Sequence, residues 1–169
     1  MRRIILTLLL GIFFVTLQTT LFTPFSIQRV RPDIVLILTL YLGFSYPMIS
    51  GGILAFFLGY LMDLFSGNSF GLYTFSRVFI FCIIRFFKDR FYLEGFLSQF
   101  LFTFSFALVE GFLILIFLNT LNPDFPGHLI SLLFTVLLPQ SFFTGLITPA
   151  LFSLFNRRLF PLFNRHGTR

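Results

Sequence analysis

The sequence predicts an all-α integral membrane protein, one compact bundle of six transmembrane helices with both termini in the cytoplasm. Hydrophobic residues make up 57% of the 169 residues and charged residues only 11%, less than half of the ~25% that is usual in a soluble domain. The uncharged stretches are long enough for helices of about 20 residues, which cross the hydrocarbon core of a bilayer. They do not alternate apolar and polar residues, as the strands of a membrane β-barrel do.

The order of apolar runs and turn residues places the six predicted spans. They cover about residues 4–22, 32–46, 48–65, 71–87, 96–118 and 128–155, and residues 156–169 form a basic cytoplasmic tail. The first span lacks a small-residue cleavage site after it, so we expect an uncleaved helix rather than a signal peptide. The second begins at Pro32-Asp33, because proline suits the first turn of a helix and an acid suits its N-terminus.

Two of the predicted spans depart from a regular helix across the bilayer. The second has about 15 residues and a length of ~22 Å, less than the ~30 Å of the hydrocarbon core. Its ends therefore need shelter from protein or from a locally thinned bilayer. The sixth contains Pro139 and Pro149. Because proline cannot donate the backbone hydrogen bond of a helix, we expect this span to be kinked or in two pieces.

The distribution of basic residues predicts the orientation in the bilayer. With both termini in the cytoplasm, nine basic residues lie on the inner side and two, Arg29 and Arg31, on the outer side. This bias agrees with the positive-inside rule for membrane proteins. The net charge of +6 favours contact with anionic lipid at the cytoplasmic face rather than with nucleic acid.

Four ionisable residues fall in the predicted outer half of the bundle, where a buried charge is costly and therefore informative. They are Asp33, Asp63, Arg77 and Glu110. One interpretation is a polar pocket that is open to the outside and binds a ligand or a polar group of a partner. The other is a set of structural ion pairs that fix the register of the helices. Because a short connection joins the third and fourth spans, we expect Asp63 to pair with Arg77.

Small residues recur every four positions along the third predicted span, at Gly51, Ala55 and Gly59. Such a stripe lets a neighbouring helix backbone approach closely, and it is more typical of packing within one bundle than of a docking face for another protein.

The sequence contains little that supports catalysis. The connection GNSFG satisfies the G-x-S-x-G pattern of hydrolases, but that pattern requires a strand-turn-helix context. Its serine, Ser69, also needs a base, and His128 is the only histidine on the same side of the predicted bundle. We interpret Gly67 and Gly71 as turn glycines and Ser69 as a helix cap, with an intramembrane serine hydrolase as a minor alternative. The single cysteine excludes a disulfide within the chain and a thiolate metal site. We therefore expect no enzyme activity, no metal and no cofactor.

Two segments carry a resemblance to a known family. RPDIVLILTLYLGF, from Arg31, and GGILAFFLGYLMDLFSGNSFG, from Gly51, resemble the bacterial rod shape-determining protein family MreD. That family has an Arg-Pro-Asp/Asn opening of the second span and a glycine-rich third span that ends in Asp, Ser-Gly and Gly. The residues that match are Arg31, Pro32, Asp33, Gly59, Asp63, Ser66, Gly67 and Gly71. Glu110 in the fifth span and Pro149 before the basic tail also agree. Arg77 is outside the shared pattern.

The resemblance implies a non-catalytic scaffold of the machinery for lateral peptidoglycan synthesis, which maintains rod cell shape from the bacterial inner membrane. It implies MreC as the direct partner, and MreB, RodZ, RodA and an elongation transpeptidase as indirect partners. It also implies the fold of the substrate-binding subunits of vitamin importers, which have an outward-facing pocket between six helices. The outer charges leave a second function open, that of a small-molecule-binding membrane subunit of a transporter.

Overall fold

A computed structural model of the chain describes residues 2–21, 32–66, 71–90, 95–121 and 133–158. These residues form helices and contain no strand, which confirms the prediction of an all-α protein. The helices are α1 (Arg2–Leu21), α2 (Ile34–Ser45), α3 (Met48–Ser66), α4 (Leu72–Phe87), α5 (Phe96–Leu121) and α6 (Leu138–Arg158). A short 3₁₀ helix, Lys88–Arg90, follows α4, and a π-helical turn, Leu133–Leu137, precedes α6.

Three of these segments are long and apolar enough to cross a membrane, judged by length and composition: Met48–Ser66, Phe96–Thr120 and Leu133–Phe155. The helices α1 and α2 add shorter apolar stretches, Thr7–Gln18 and Ile34–Ser45. The six-span topology and the cytoplasmic position of both termini stay predictions.

The short helix α2 is central to the packing. It contacts each of the other five helices in the part of the chain that the structure describes. Nine of its 12 residues are buried, as expected for a helix that is apolar on every side. At ~1.5 Å per residue α2 is only ~18 Å long. Neighbouring helices surround it, which is the shelter by protein that its length requires.

The two ends of α2 are determined by local sequence. Asp33 is the N-cap residue, and its side-chain Oδ1 accepts a hydrogen bond from the Leu36 N–H at 2.9 Å. Tyr46 after the helix is extended, with φ −114° and ψ 150°, as the residue before a proline prefers. Pro47 follows it, and α3 starts at the next residue. The helices α2 and α3 are therefore joined by two residues.

Two hydrophobic clusters pack on different faces of α2. Val35, Leu38 and Leu42 belong to a cluster with residues of α1, α3, α4 and α6. Leu36 and Leu40 belong to a second cluster with residues of α4 and α5. Because both clusters share α2, its position fixes the helices around it.

The stripe of small residues on α3 lies against α4. A Cβ atom added to Gly59 would be 2.5 Å from the Cα atom of Thr74, and one added to Gly51 would be 2.5 Å from the ring of Phe81. Ala55 between them is fully buried. The structure therefore uses Gly51, Ala55 and Gly59 for close packing of α3 on α4 inside the bundle.

The irregularity of the predicted sixth span falls at its first proline. Pro139 is the second residue of α6, and the π-helical turn ends two residues before it, at Leu137. A proline in the first turn of a helix lacks only an N–H group that would have no partner within that helix. Pro149 lies within α6, which continues to Arg158. The described part of this span thus consists of a π-helical turn and an α-helix, which meet between residues 137 and 138.

Candidate functional site

Buried charges meet at Arg77, which is in the second turn of α4 and is fully buried. Its Nη2 donates a hydrogen bond to Asp33 Oδ2 at 2.5 Å, and its Nη1 donates one to Glu110 Oε2 at 3.0 Å. Asp33 stands at the start of α2 and Glu110 in α5, so the guanidinium group links three helices. We call Asp33, Arg77 and Glu110 the charged triad.

Asp33 also fixes the start of α2 to α6. Its backbone N–H donates a hydrogen bond to Thr144 Oγ1 at 3.0 Å. The Thr144 hydroxyl in turn donates to the backbone carbonyl of Gln140 at 2.7 Å. From α1, Gln18 Oε1 accepts a hydrogen bond from the Val35 N–H at 3.4 Å. The first turn of α2 is thus held by polar groups of α1, α4 and α6.

Glu110 is nearly as buried as Arg77, with a side chain that is 4% exposed. Among the described residues it has one further donor besides Arg77, the Ser76 hydroxyl, which lies 3.3 Å from Oε1. The triad contains two carboxyl groups and one guanidinium group, so it carries a charge of −1 when all three are ionised. The N-terminus of α2 offsets part of the charge on Asp33, whereas Glu110 lies within α5 and has no helix N-terminus beside it among its described contacts.

The predicted ion pair between Asp63 and Arg77 is wrong. The Asp63 carboxylate instead accepts hydrogen bonds from the backbone N–H groups of Tyr73 and Thr74, both at 2.9 Å, and from the Thr74 hydroxyl at 2.5 Å. These donors belong to the first turn of α4, where backbone N–H groups have no partner within the helix. Asp63 therefore caps α4 from the neighbouring helix.

The turn before α4 needs a glycine. Gly71 has a φ of +97° and directly precedes the first residue of α4. A residue with a Cβ atom rarely adopts this left-handed conformation. The expected role of Gly71 as a turn residue agrees with this backbone. Gly67, Ser69 and His128 lie outside the described residues.

A cavity of about 110 Å³ adjoins the triad, between α5 and α6. Its polar lining consists of Asp33, Tyr73, Glu110, Gln140, Ser141 and Thr144. The remaining lining residues are apolar or glycine. Arg77 and Asp63 are not part of the lining, so the charged groups that face this space are carboxylates. Drug-sized ligands occupy pockets of ~300–1,000 Å³, and this space is smaller.

The structure thus brings together three of the four predicted polar residues, Asp33, Arg77 and Glu110, and separates Asp63 from them. Sequence reasoning missed the hydroxyl and amide groups around the triad. Ser141, Thr144 and Thr148 recur at intervals of three and four along an apolar helix, and this polar stripe is a signal that could have found the α6 side of the site. Within the described ranges, His, Cys, Asp and Glu residues form no group that could hold a metal ion.

The apolar helices and the buried triad define the class of the protein, which is an all-helical membrane protein with an internal charge network. The model of the MreD family, described as rod shape-determining protein MreD, matches residues 1–158. The chain therefore belongs to the MreD family, which confirms the resemblance of the two segments, and it is a rod shape-determining membrane protein. Neither the curated proteins nor the solved structures contain a match. The likeness to vitamin-importer subunits stays a prediction.

Proposed function

We propose that this chain is a non-catalytic scaffold subunit of the cell-wall elongation machinery, located in the bacterial inner membrane as a multi-pass protein and bound to MreC. The observation that carries the proposal is the family match over residues 1–158. Through MreC the chain would act with MreB, RodZ, RodA and an elongation transpeptidase in lateral peptidoglycan synthesis.

The contacts of the buried acids support a role as a scaffold, because these acids hold helices together. Asp33 caps α2 and Asp63 caps α4, while Glu110 pairs with a guanidinium group that also binds Asp33. Each of these groups stabilises the arrangement of helices. A scaffold needs a bundle that holds one shape, because ordering mobile helices on binding would reduce the affinity for a partner.

The inner end of α4 suits anionic lipid. Arg85 lies in the last turn of α4, and Lys88 and Arg90 follow in the 3₁₀ helix. Phe86 beside them is 83% exposed. Basic groups next to an exposed aromatic side chain are typical of the boundary between hydrocarbon and negatively charged headgroups. We expect this end to rest on the cytoplasmic leaflet.

Co-purification tests the scaffold proposal. The tagged chain is co-expressed with MreC, extracted in mild detergent and purified through the tag. We expect MreC to be retained in a fixed ratio through size exclusion. The matched control is a tagged membrane protein of similar size and apolar content from outside the family, which should retain none. Failure of the tagged chain to retain MreC under conditions that keep it folded would contradict the proposal.

A small-molecule-binding subunit of a transporter is the second candidate, and the cavity beside Glu110 is the observation that favours it. Its volume of about 110 Å³ limits such a ligand to a few non-hydrogen atoms, since one water occupies ~30 Å³ in the liquid. Native mass spectrometry of the purified protein would detect a small molecule that stays bound through purification. Finding one in a one-to-one ratio would favour the transporter function over the scaffold.

A further inference from the structure

Glu110 has capacity for hydrogen bonds that the described residues do not use. An ionised carboxylate offers about four lone-pair positions. Glu110 receives one hydrogen bond from Arg77 and one from Ser76, and the latter is 3.3 Å long, beyond the usual 2.5–3.0 Å for a hydroxyl donor. The Oε1 atom is therefore weakly satisfied, although the side chain is only 4% exposed.

The cavity lies beside the two carboxyl groups of the triad. Glu110 and Asp33 line it, whereas Arg77 does not. The other polar lining groups from α6 can all accept a hydrogen bond or coordinate a cation through oxygen, and they are Gln140, Ser141 and Thr144. The Ser141 hydroxyl donates its hydrogen to the Leu137 carbonyl at 2.8 Å. Its lone pairs can therefore accept a hydrogen bond from a ligand or coordinate a cation. Half of the lining residues thus offer side-chain oxygen atoms, and one of them is the Glu110 carboxyl group with its weakly satisfied Oε1.

We propose that this cavity binds one small monovalent cation against Glu110, either an alkali ion or the ammonium group of a primary amine. Both carry a single positive charge, which balances the excess on the triad. Both also suit carboxylate, hydroxyl and amide oxygens as partners. The volume of about 110 Å³ admits such a group with a few waters and no larger organic cation. This site is independent of the proposed binding of MreC.

The experiment measures thermal unfolding of the purified full-length protein in detergent at constant ionic strength. Sodium chloride, potassium chloride and methylammonium chloride each replace choline chloride in steps. A cation that binds only the folded protein raises the unfolding midpoint in a saturable way. We expect such a rise of several degrees with at least one probe. A response to sodium or potassium identifies an alkali ion, and a response to methylammonium alone identifies an amine. The absence of a saturable response to all three probes would overturn the proposal.

Variants locate the response in the cavity. We expect Glu110→Gln to abolish it. Because that change also removes an ion pair, Ser141→Ala gives a second test, and it should weaken the apparent affinity by about 10- to 150-fold, the range for one hydrogen bond to a charged group. Ser105→Ala is the matched control, since the Ser105 hydroxyl in α5 also donates to the carbonyl four residues earlier, at 2.9 Å, and lines no part of the cavity. Two results together would refute the site. Ser141→Ala and Ser105→Ala would show the same rise of the unfolding midpoint with the cation, and Glu110→Gln would still show it, so that the cation must bind elsewhere.

Discussion

Replacement of Arg77 by methionine should destabilise the protein more than any other change of a single charge. The variant keeps a long apolar side chain in α4 but leaves Asp33 and Glu110 buried without their guanidinium partner. Removal of one partner from a buried ion pair costs about 3–5 kcal/mol, and here one substitution breaks two pairs, at 2.5 and 3.0 Å. Because the two carboxylates then also repel each other, we expect a loss at or above the upper end of that range.

Neutralisation of the whole triad should restore most of this loss. Asp33→Asn keeps a side chain that can cap α2, and Glu110→Gln keeps the shape of the glutamate. Combined with Arg77→Met, they leave no buried charge at the site, and we expect the triple variant to recover to within ~1–2 kcal/mol of the parent protein. Such a recovery would mean that the ion pairs determine which helices pack together but add little to the free energy of unfolding.

The assay is reversible unfolding in mixed detergent micelles, followed by circular dichroism, with the free energy of unfolding compared between variants. Arg85→Met is the matched control, because Arg85 is on the same helix and forms no ion pair within the residues that the structure describes. Its change should stay within ~1 kcal/mol. If Arg77→Met and Arg85→Met are equally stable, or if the triple variant is less stable than Arg77→Met, the reasoning is refuted.

Three further substitutions test the surroundings of the triad by the same assay. Asp63→Ala should cost ~1–3 kcal/mol, because it removes a cap that accepts three hydrogen bonds; a loss below ~0.5 kcal/mol would contradict the capping role. Gly59→Ala should destabilise strongly, since its Cβ would lie 2.5 Å from a backbone atom of α4. Gly52→Ala is the matched control on the same helix, because the new Cβ would have only an ordinary contact at 3.7 Å, and it should not destabilise. Equal effects would contradict the close packing of α3 on α4. Thr144→Val keeps the shape of the side chain but removes the acceptor for the Asp33 N–H, so we expect a loss of ~1–3 kcal/mol, and an unchanged stability would show that this bond contributes nothing.

The helices could be predicted from sequence because each depends on a local property. The apolar runs set their number and approximate length, Pro47 separates α2 from α3, and Asp33 supplies the cap that begins α2. The central position of α2 could not be predicted in the same way. Its sequence shows that it is apolar on all sides, but which helices surround it depends on contacts between residues that are far apart in the chain.

The partners of Arg77 illustrate the same limit within the site. Sequence reasoning selected Asp63, because a short connection makes α3 and α4 neighbours. The true partners, Asp33 and Glu110, are 44 and 33 residues away. Arg77 follows Thr74 by three residues and so lies about one turn further along α4, whereas Asp63 is bound by the Tyr73 and Thr74 N–H groups at the start of that helix. Proximity of two helices therefore did not identify which charged side chains meet.

Asp63 is unavailable to Arg77 for a reason that applies to any acid near the start of a neighbouring helix. The first N–H groups of α4 have no partner within the helix, and Asp63 beside them is buried. These donors are part of the backbone and are already fixed, so an acid that binds them orders no additional side chain. A guanidinium group on a long, flexible side chain costs conformational entropy to hold in place. The carboxylate one turn from the end of α3 therefore caps α4, and the arginine pairs with Asp33 at the start of α2 and with Glu110 in α5.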